Sequence, residues 1–285
     1  MNGPAMTAPR LTDRAALLRN RARVRSDALP FLHELARDEL QDRLAMVNRA
    51  FTAPAIVTGL PALWHDLVPA ARVVADDPIL DLQQGAHDLV IHAMALHWAD
   101  DPVGQLVQAR RALRPDGLFL AVLFGGQTLA ELRAALAQAE SDLRGGLSAR
   151  VLPMAEIRDL GAGLQRAGFA LPVADLVRQS VAYRDLATLY ADLRAMGERN
   201  AMANRPRKTS PKALFTRAQA QYAQNFALPD GSFAATFELI FLSGWAPSTD
   251  QPQPLRPGSA KTRLADALGA DEIALPDPVN IPGRD

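Results

Sequence analysis

The sequence predicts an α/β fold with a doubly wound, mostly parallel sheet. Short apolar or β-branched runs at 55–57, 72–75, 89–91 and 118–124 alternate with segments of helical spacing. The last of these runs is apolar without interruption, as a parallel strand covered on both faces requires. Each crossover is long enough to carry a connection between parallel strands. A chain of 285 residues can bury a sizeable core in such a sheet.

Taken in order, residues 1–11 read as a flexible start. Arg14, Arg19, Arg21, Arg23 and Arg25 follow with no acid between them. They fit the solvated face of a first helix capped by Thr12 or Asp13 better than a targeting or phosphate-binding segment. Leu29, Leu32, Ala36, Leu40, Leu44, Val47 and Phe51 recur at helical spacing, which predicts an amphipathic helix over 28–51. Pro54 breaks it, and Ala55-Ile56-Val57 reads as a buried strand ending at Gly59. A short helix over 61–68 leads to the strand at 72–75, which closes on Asp76-Asp77-Pro78. The strand 89–91 ends at Leu96-His97-Trp98.

Asp100 or Asp101 caps a helix with Pro102 at its first position. Arg114-Pro115-Asp116-Gly117 stops it, with Pro presetting a turn and Gly taking the positive φ. After Gly125-Gly126, Thr128 and Glu131 read as a capping box for a helix with Leu129, Leu132, Leu136 and Leu143 inward. The chain then turns more helical: one helix stops at Gly168, a second carries Leu186, Leu189, Tyr190, Leu193 and Met196, and a third starts at Ser210-Pro211. Residues 233–245 alternate and read as a late strand returning to the sheet edge. The expected organisation is a helical extension over 1–51, an α/β domain over 52–246 with a helical insertion at about 185–226, and a proline-rich extended tail over 247–285.

Composition narrows the chemistry. Lys plus Arg and Asp plus Glu are both 31, so no basic field argues for nucleic acid. Cysteine is absent, which excludes disulfides, thiolate zinc sites, a nucleophilic Cys and a Cys-held iron–sulfur cluster. No apolar run approaches the roughly 20 residues that span a bilayer, and no signal-peptide core opens the chain. Neither a Gly-x-Ser-x-Gly elbow nor a Walker loop occurs. His92, His97 and Asp100 match no strict ligand spacing, so no metal site is expected.

A doubly wound sheet binds ligands at the carboxyl ends of its strands. That rule gathers Gly59, Asp76, Asp77, His92, Ala93, His97 and Gly125 on one rim. A carboxylate at a strand end can accept ribose hydroxyls or an adenine amino group. For Asp76-Asp77-Pro78 the plain alternative is a turn, for His92 a core residue, and for Trp98 a core aromatic.

Asp88-Leu89-Val90, Leu96-His97-Trp98, Leu113-Arg114-Pro115-Asp116-Gly117 and Phe124-Gly125-Gly126 resemble the class I S-adenosylmethionine-dependent methyltransferase superfamily. Ala139-Glu140, Gly145-Gly146-Leu147-Ser148, Met196-Gly197-Glu198, Asn200, Asn204-Arg205 and Pro257-Gly258-Ser259-Ala260 resemble, more narrowly, the mitochondrial complex I assembly factor five group and its bacterial relatives. The methyltransferase of malonyl carrier protein is a more distant likeness. The resemblance covers most of residues 70–262.

It implies an S-adenosylmethionine site, with Gly59, Asp76, Asp77, His92 and Ala93 toward the cofactor and Asp76-Asp77 near its adenine. His97 and Trp98 would face the reacting centre. Gly125, Gly126, Glu140, Glu198, Asn200, Asn204 and Arg205 would line a substrate or partner rim. The chain departs from the family where an acid and a Gly-x-Gly loop should stand. Residues 56–61 read Ile-Val-Thr-Gly-Leu-Pro, so the acid is Thr58 and one glycine survives. The distance from Gly59 to Asp76 also implies that one βα unit is deleted. The resemblance implies a methyltransferase-like protein acting on or with a respiratory complex I subunit or another protein substrate, as an assembly factor. The alternatives are a protein-arginine hydroxylase-type enzyme and a catalytically inactive binding protein. Its place would be cytoplasmic, peripheral to a membrane complex.

Overall fold

Why do the central strands read as unbroken apolar runs? Each buries both faces. In a computed structural model, which describes residues 10–25, 29–251 and 269, the strand His87–Ala93 points Leu89 and Ile91 into one core and Val90 into another. Leu113–Phe124 divides likewise, with Leu118, Leu120, Val122 and Phe124 on one face and Phe119, Ala121 and Leu123 on the other. The two-residue period of a strand makes this division automatic.

In chain order the elements are α1 (Arg14–Arg21), α2 (Phe31–Met46), β1 (Pro54–Thr58), α3 (Pro61–Trp64), β2 (Arg72–Val74), β3 (His87–Ala93), α4 (Pro102–Ala112) and β4 (Leu113–Phe124). Then come α5 (Ala130–Arg144), α6 (Ile157–Ala167), β5 (Ala170–Tyr183), α7 (Leu186–Ala195), α8 (Lys212–Phe226) and β6 (Phe233–Trp245). The strand order is β2-β1-β3-β4-β6-β5. The pairs β2–β1, β1–β3 and β3–β4 are parallel, and β4–β6 and β6–β5 are antiparallel. Helices α4 and α6 cover one face; α2, α3, α5, α7 and α8 contribute to the core on the other. All of these elements lie before the division of the chain after Thr249.

Several expectations need correction. β6 does not lie at the edge: it pairs with β4 on one side and β5 on the other. The edge is β5, where no strand was expected. It is half exposed, carries Asp175, Arg178, Gln179 and Ser180, and takes Pro172 where its register with β6 shifts. Such a polar strand with a proline fits only an edge. Helix α2 ends at Met46 because Asn48 turns left-handed (φ 47°), so Val47 and Phe51 pack on the core from outside the helix. The positive φ near residue 115 falls on Asp116 (58°), not Gly117. No capping box starts α5: Leu129 enters left-handed (φ 55°), and the Thr128 hydroxyl serves Gly125 and Glu238. The Glu131 carboxylate is taken by Thr236.

Of the expected flexible start, residues 1–9 lie outside the described residues, while Leu11 is held by its N–H to Asp100 Oδ1 at 2.9 Å. The tail beyond 251, apart from 269, also lies outside them, with the Pro257-Gly258-Ser259-Ala260 match. Among the described residues, no helix is long and apolar enough to cross a membrane.

Candidate functional site

Two different places lie at the carboxyl end of this sheet. The first is where β1 and β2 end. Arg14 and Arg21 stand seven residues apart, two turns of α1, so they share a face. Both reach Asp76. Arg14 Nη2 donates to Asp76 Oδ1 at 2.7 Å, and Arg21 Nη1 donates to Oδ2 at 2.8 Å. The Arg21 and Asp76 side chains are 4% and 3% exposed, which makes this a buried ion pair. Burial alone would raise the Asp76 carboxyl, but the two guanidiniums outweigh it and hold it well below the usual carboxylate range. Asp77 is mostly exposed and takes a single bond from Arg14.

The Arg21 guanidinium also lies directly over Gly59, so closely that a Cβ there would collide with it. A small hollow of about 290 Å³ remains beside it, walled by Leu18, Val24 and Pro61. Thr58 turns its hydroxyl to the N–H of Leu60. His92 is fully buried and bonds Gln105 at 2.7 Å; Gln105 in turn holds the carbonyl of Asp77. Ala93 is buried in register with Thr58. In this arrangement the cofactor expected here does not fit. The space above the glycine and the oxygens of Asp76 belong to arginines of the same chain.

The second place is a cavity of about 640 Å³ between α5, α7, α8 and the ends of β4 and β6. Leu132, Leu136, Leu193, Phe124, Phe215 and Phe237 give it an apolar wall. Its polar corner is Glu198. The Trp98 indole donates to Glu198 Oε2 at 2.8 Å, and His97 Nε2 lies 3.2 Å from the same oxygen. Burial would raise the Glu198 carboxyl, but His97, Arg21 and Trp98 hold it below its ordinary value. Glu198 therefore stays ionised.

The expected site residues separate between these places. Trp98, Glu198 and Asn200 line the cavity. His97 stands behind Glu198 with its ring 5.2 Å from that of Phe124. Glu140 is buried away from the cavity. Arg150 and Ser148 bond it and hold its carboxyl down to about 2, and this fixes Arg150, which does line the cavity. Gly125 and Gly126 form the turn after β4: a Cβ on the first would strike Ile240 and on the second Glu238. Arg205 bonds Asp13 and so anchors α1. Asn204 is exposed outside the cavity. Among the described residues, no three His, Asp or Glu cluster as metal ligands.

The partners of Asp76 went unread in the sequence. The α1 arginines look like one solvated face, yet Arg21 is buried while Arg19 and Arg23 are exposed. The seven-residue interval from Arg14 to Arg21 was the available signal. For the cavity it was the apolar stripe of α7, read as core, together with Phe215 on α8.

The parallel order β2-β1-β3-β4, covered by helices on both faces, is the frame of a doubly wound α/β domain. A methyltransferase domain profile matches residues 57–121, from β1 into β4. The arginine-hydroxylase NDUFAF5, mitochondrial, of Homo sapiens is 37% identical over 235 residues, covering 81% of this chain and 66% of that protein. Its Danio rerio counterpart is 35% identical over 199 residues, covering 70% and 62%. A malonyl-[acyl-carrier protein] O-methyltransferase of Halorhodospira halophila is 33% identical over 203 residues, covering 71% and 67%. The chain thus belongs to the class I S-adenosylmethionine-dependent methyltransferase superfamily, and it is similar to the NDUFAF5 proteins. It spans 45% to 66% of the length of the five NDUFAF5 relatives. Among solved structures, the YcgJ protein of Bacillus subtilis superposes with a TM-score of 0.46 at 10% identity, over 73% of this chain and 98% of that one.

Proposed function

We propose that this chain is a methyltransferase-fold assembly protein that works on or with a subunit of a respiratory complex I-type enzyme. It does so at the Trp98–Glu198 cavity and not through a cofactor in the β1 cleft. The observation that carries this reading is Arg21, seated over Gly59 and bound to Asp76 where the family would place S-adenosylmethionine. The NDUFAF5 relatives are named arginine-hydroxylases, which supports a role outside methyl transfer.

A second reading keeps S-adenosylmethionine. The methyltransferase domain match brackets Gly59, Asp76, Asp77, His92 and Ala93, and it favours a cofactor that enters once Arg21 swings aside.

Calorimetric titration of the purified chain with S-adenosylmethionine and S-adenosylhomocysteine separates the two. The first reading expects no binding even at millimolar ligand; micromolar binding establishes the second. The partner half is tested by capture of each purified hydrophilic subunit of complex I. One subunit should bind, and Arg199→Glu with Asn204→Ala should release it. Binding of none would sink the assembly role.

A further inference from the structure

The cavity has a charge pattern that its assignment as a partner site leaves unused. Among the residues lining it, the cations are Arg150, Arg194, Arg199 and Lys212, and the one carboxylate is Glu198. Arg150 is matched by Glu140, and Glu198 by His97 and Trp98. Arg194, Arg199 and Lys212 are exposed, and among the described residues none of them forms an ion pair. Behind them the wall is Leu132, Leu136, Phe215 and Phe237. Tyr190 also lines the cavity, and its hydroxyl is buried with no hydrogen-bond partner. Buried polar groups are nearly always paired, and this hydroxyl lacks the partner such a group ordinarily has among the described residues.

We infer that this cavity binds an anionic amphiphile, a fatty-acyl carboxylate or phosphate. The tail lies against Leu132, Leu136 and Phe237. The head lies among the exposed Arg194, Arg199 and Lys212. The inference rests on the reading of this cavity as the functional site. An apolar hole alone would take any greasy molecule; the unpaired cations select the sign of the head. Free fatty acids and membrane phospholipids share this chemistry.

The test is calorimetry on the full chain with dodecanoate, dodecyltrimethylammonium and lauroyl-lysophosphatidylglycerol, each below its micellar concentration. Dodecanoate should bind one to one at micromolar concentration, and the cationic amphiphile about tenfold or more weakly. Tighter binding of the lysophospholipid assigns a membrane lipid as the source; the reverse assigns the free acid. Leu132→Trp should abolish binding by filling the cavity. Thr216→Trp, at an exposed lining position on α8, gives the same readout if the first variant does not fold. Arg194→Glu with Lys212→Glu should weaken dodecanoate at least tenfold and leave the melting temperature unchanged. Equal binding of both head charges, or binding untouched by the tryptophans, overturns the inference. Subunit capture that persists while dodecanoate fails to bind overturns this inference alone. Dodecanoate binding that is lost in Leu132→Trp, with no subunit captured, overturns only the assembly role.

Discussion

The two ends of one sheet rim treat charge in opposite ways. At β1 and β2 the carboxylate of Asp76 is sealed beneath two arginines of α1. At β4 and β6 a void of about 640 Å³ is lined by Arg194, Arg199 and Lys212, for which no ion pair is found among the described residues. At the first end the carboxylate is matched within the chain, although Arg21 Nη2 and Arg14 Nε are buried without a hydrogen-bond partner among the described residues. In a fold whose ligands are expected over the first strand, that strand end here holds arginines of the same chain, and the larger cavity lies across the sheet.

The sharpest way to break the comparison is Asp76→Ala. It would leave the buried Arg21 guanidinium without its carboxylate, while Arg14 keeps Asp77, a loss of about 3–5 kcal/mol. Urea unfolding measures it, and a loss under about 1 kcal/mol would show that the first end is not sealed. The pH dependence of stability comes next. His33 and His92 are fully buried, and desolvation pushes each down to about 4. Between an unfolded value of 6.5 and that folded value the unfolded chain binds the proton and the folded chain does not. Stability is therefore full above that unfolded value and falls as the pH drops toward 4, by up to about 1.4 kcal/mol per pH unit for each histidine. His33→Phe should flatten the slope by its share; an unchanged slope would remove His33 from the account.

Glu198→Gln should cost about 1–3 kcal/mol, because it disturbs the bonds from His97 and Trp98. Thermal unfolding would show it, together with a change in indole fluorescence from Trp98. No change in either would mean that the polar corner of the cavity is not held as described. The smallest effect belongs to Asp77→Ala. An exposed carboxylate with one arginine bond contributes about 0–1 kcal/mol, so its unfolding midpoint should barely move. A drop comparable to that of Asp76→Ala would erase the distinction between the two neighbours.

Much of the frame was legible in the sequence. β1, β3, β4, α4 and α6 carry their periodicity and their stop signals openly, from Pro102 at the start of α4 to Gly168 at the end of α6. β5 was not legible, because an edge strand needs no apolar alternation strong enough to stand out from polar residues such as Arg178 and Ser180. The site was harder. Trp98, Glu198 and Asn200 came from resemblance, and the structure brings them to one cavity. The burial of Arg21 was hidden because charge patterning describes which residues tolerate water. It says nothing of which guanidinium finds an acid 55 positions later.

Helix α1 also sets a timetable. It is held by Asp76, by Trp98 and Asp100 through Thr12, and by Arg205 and Arg207 through Asp13, the last two 192 and 194 positions away. Contacts this distant form late. At a synthesis rate of about 5–20 residues per second, α1 waits on the order of ten to forty seconds for its last partners to be made. The pairing of Arg14 and Arg21 with Asp76 needs only the nearer residues, so helix α1 is fixed in two stages, first at Asp76 and then, once the chain has been made as far as Arg207, by the clasp on Asp13.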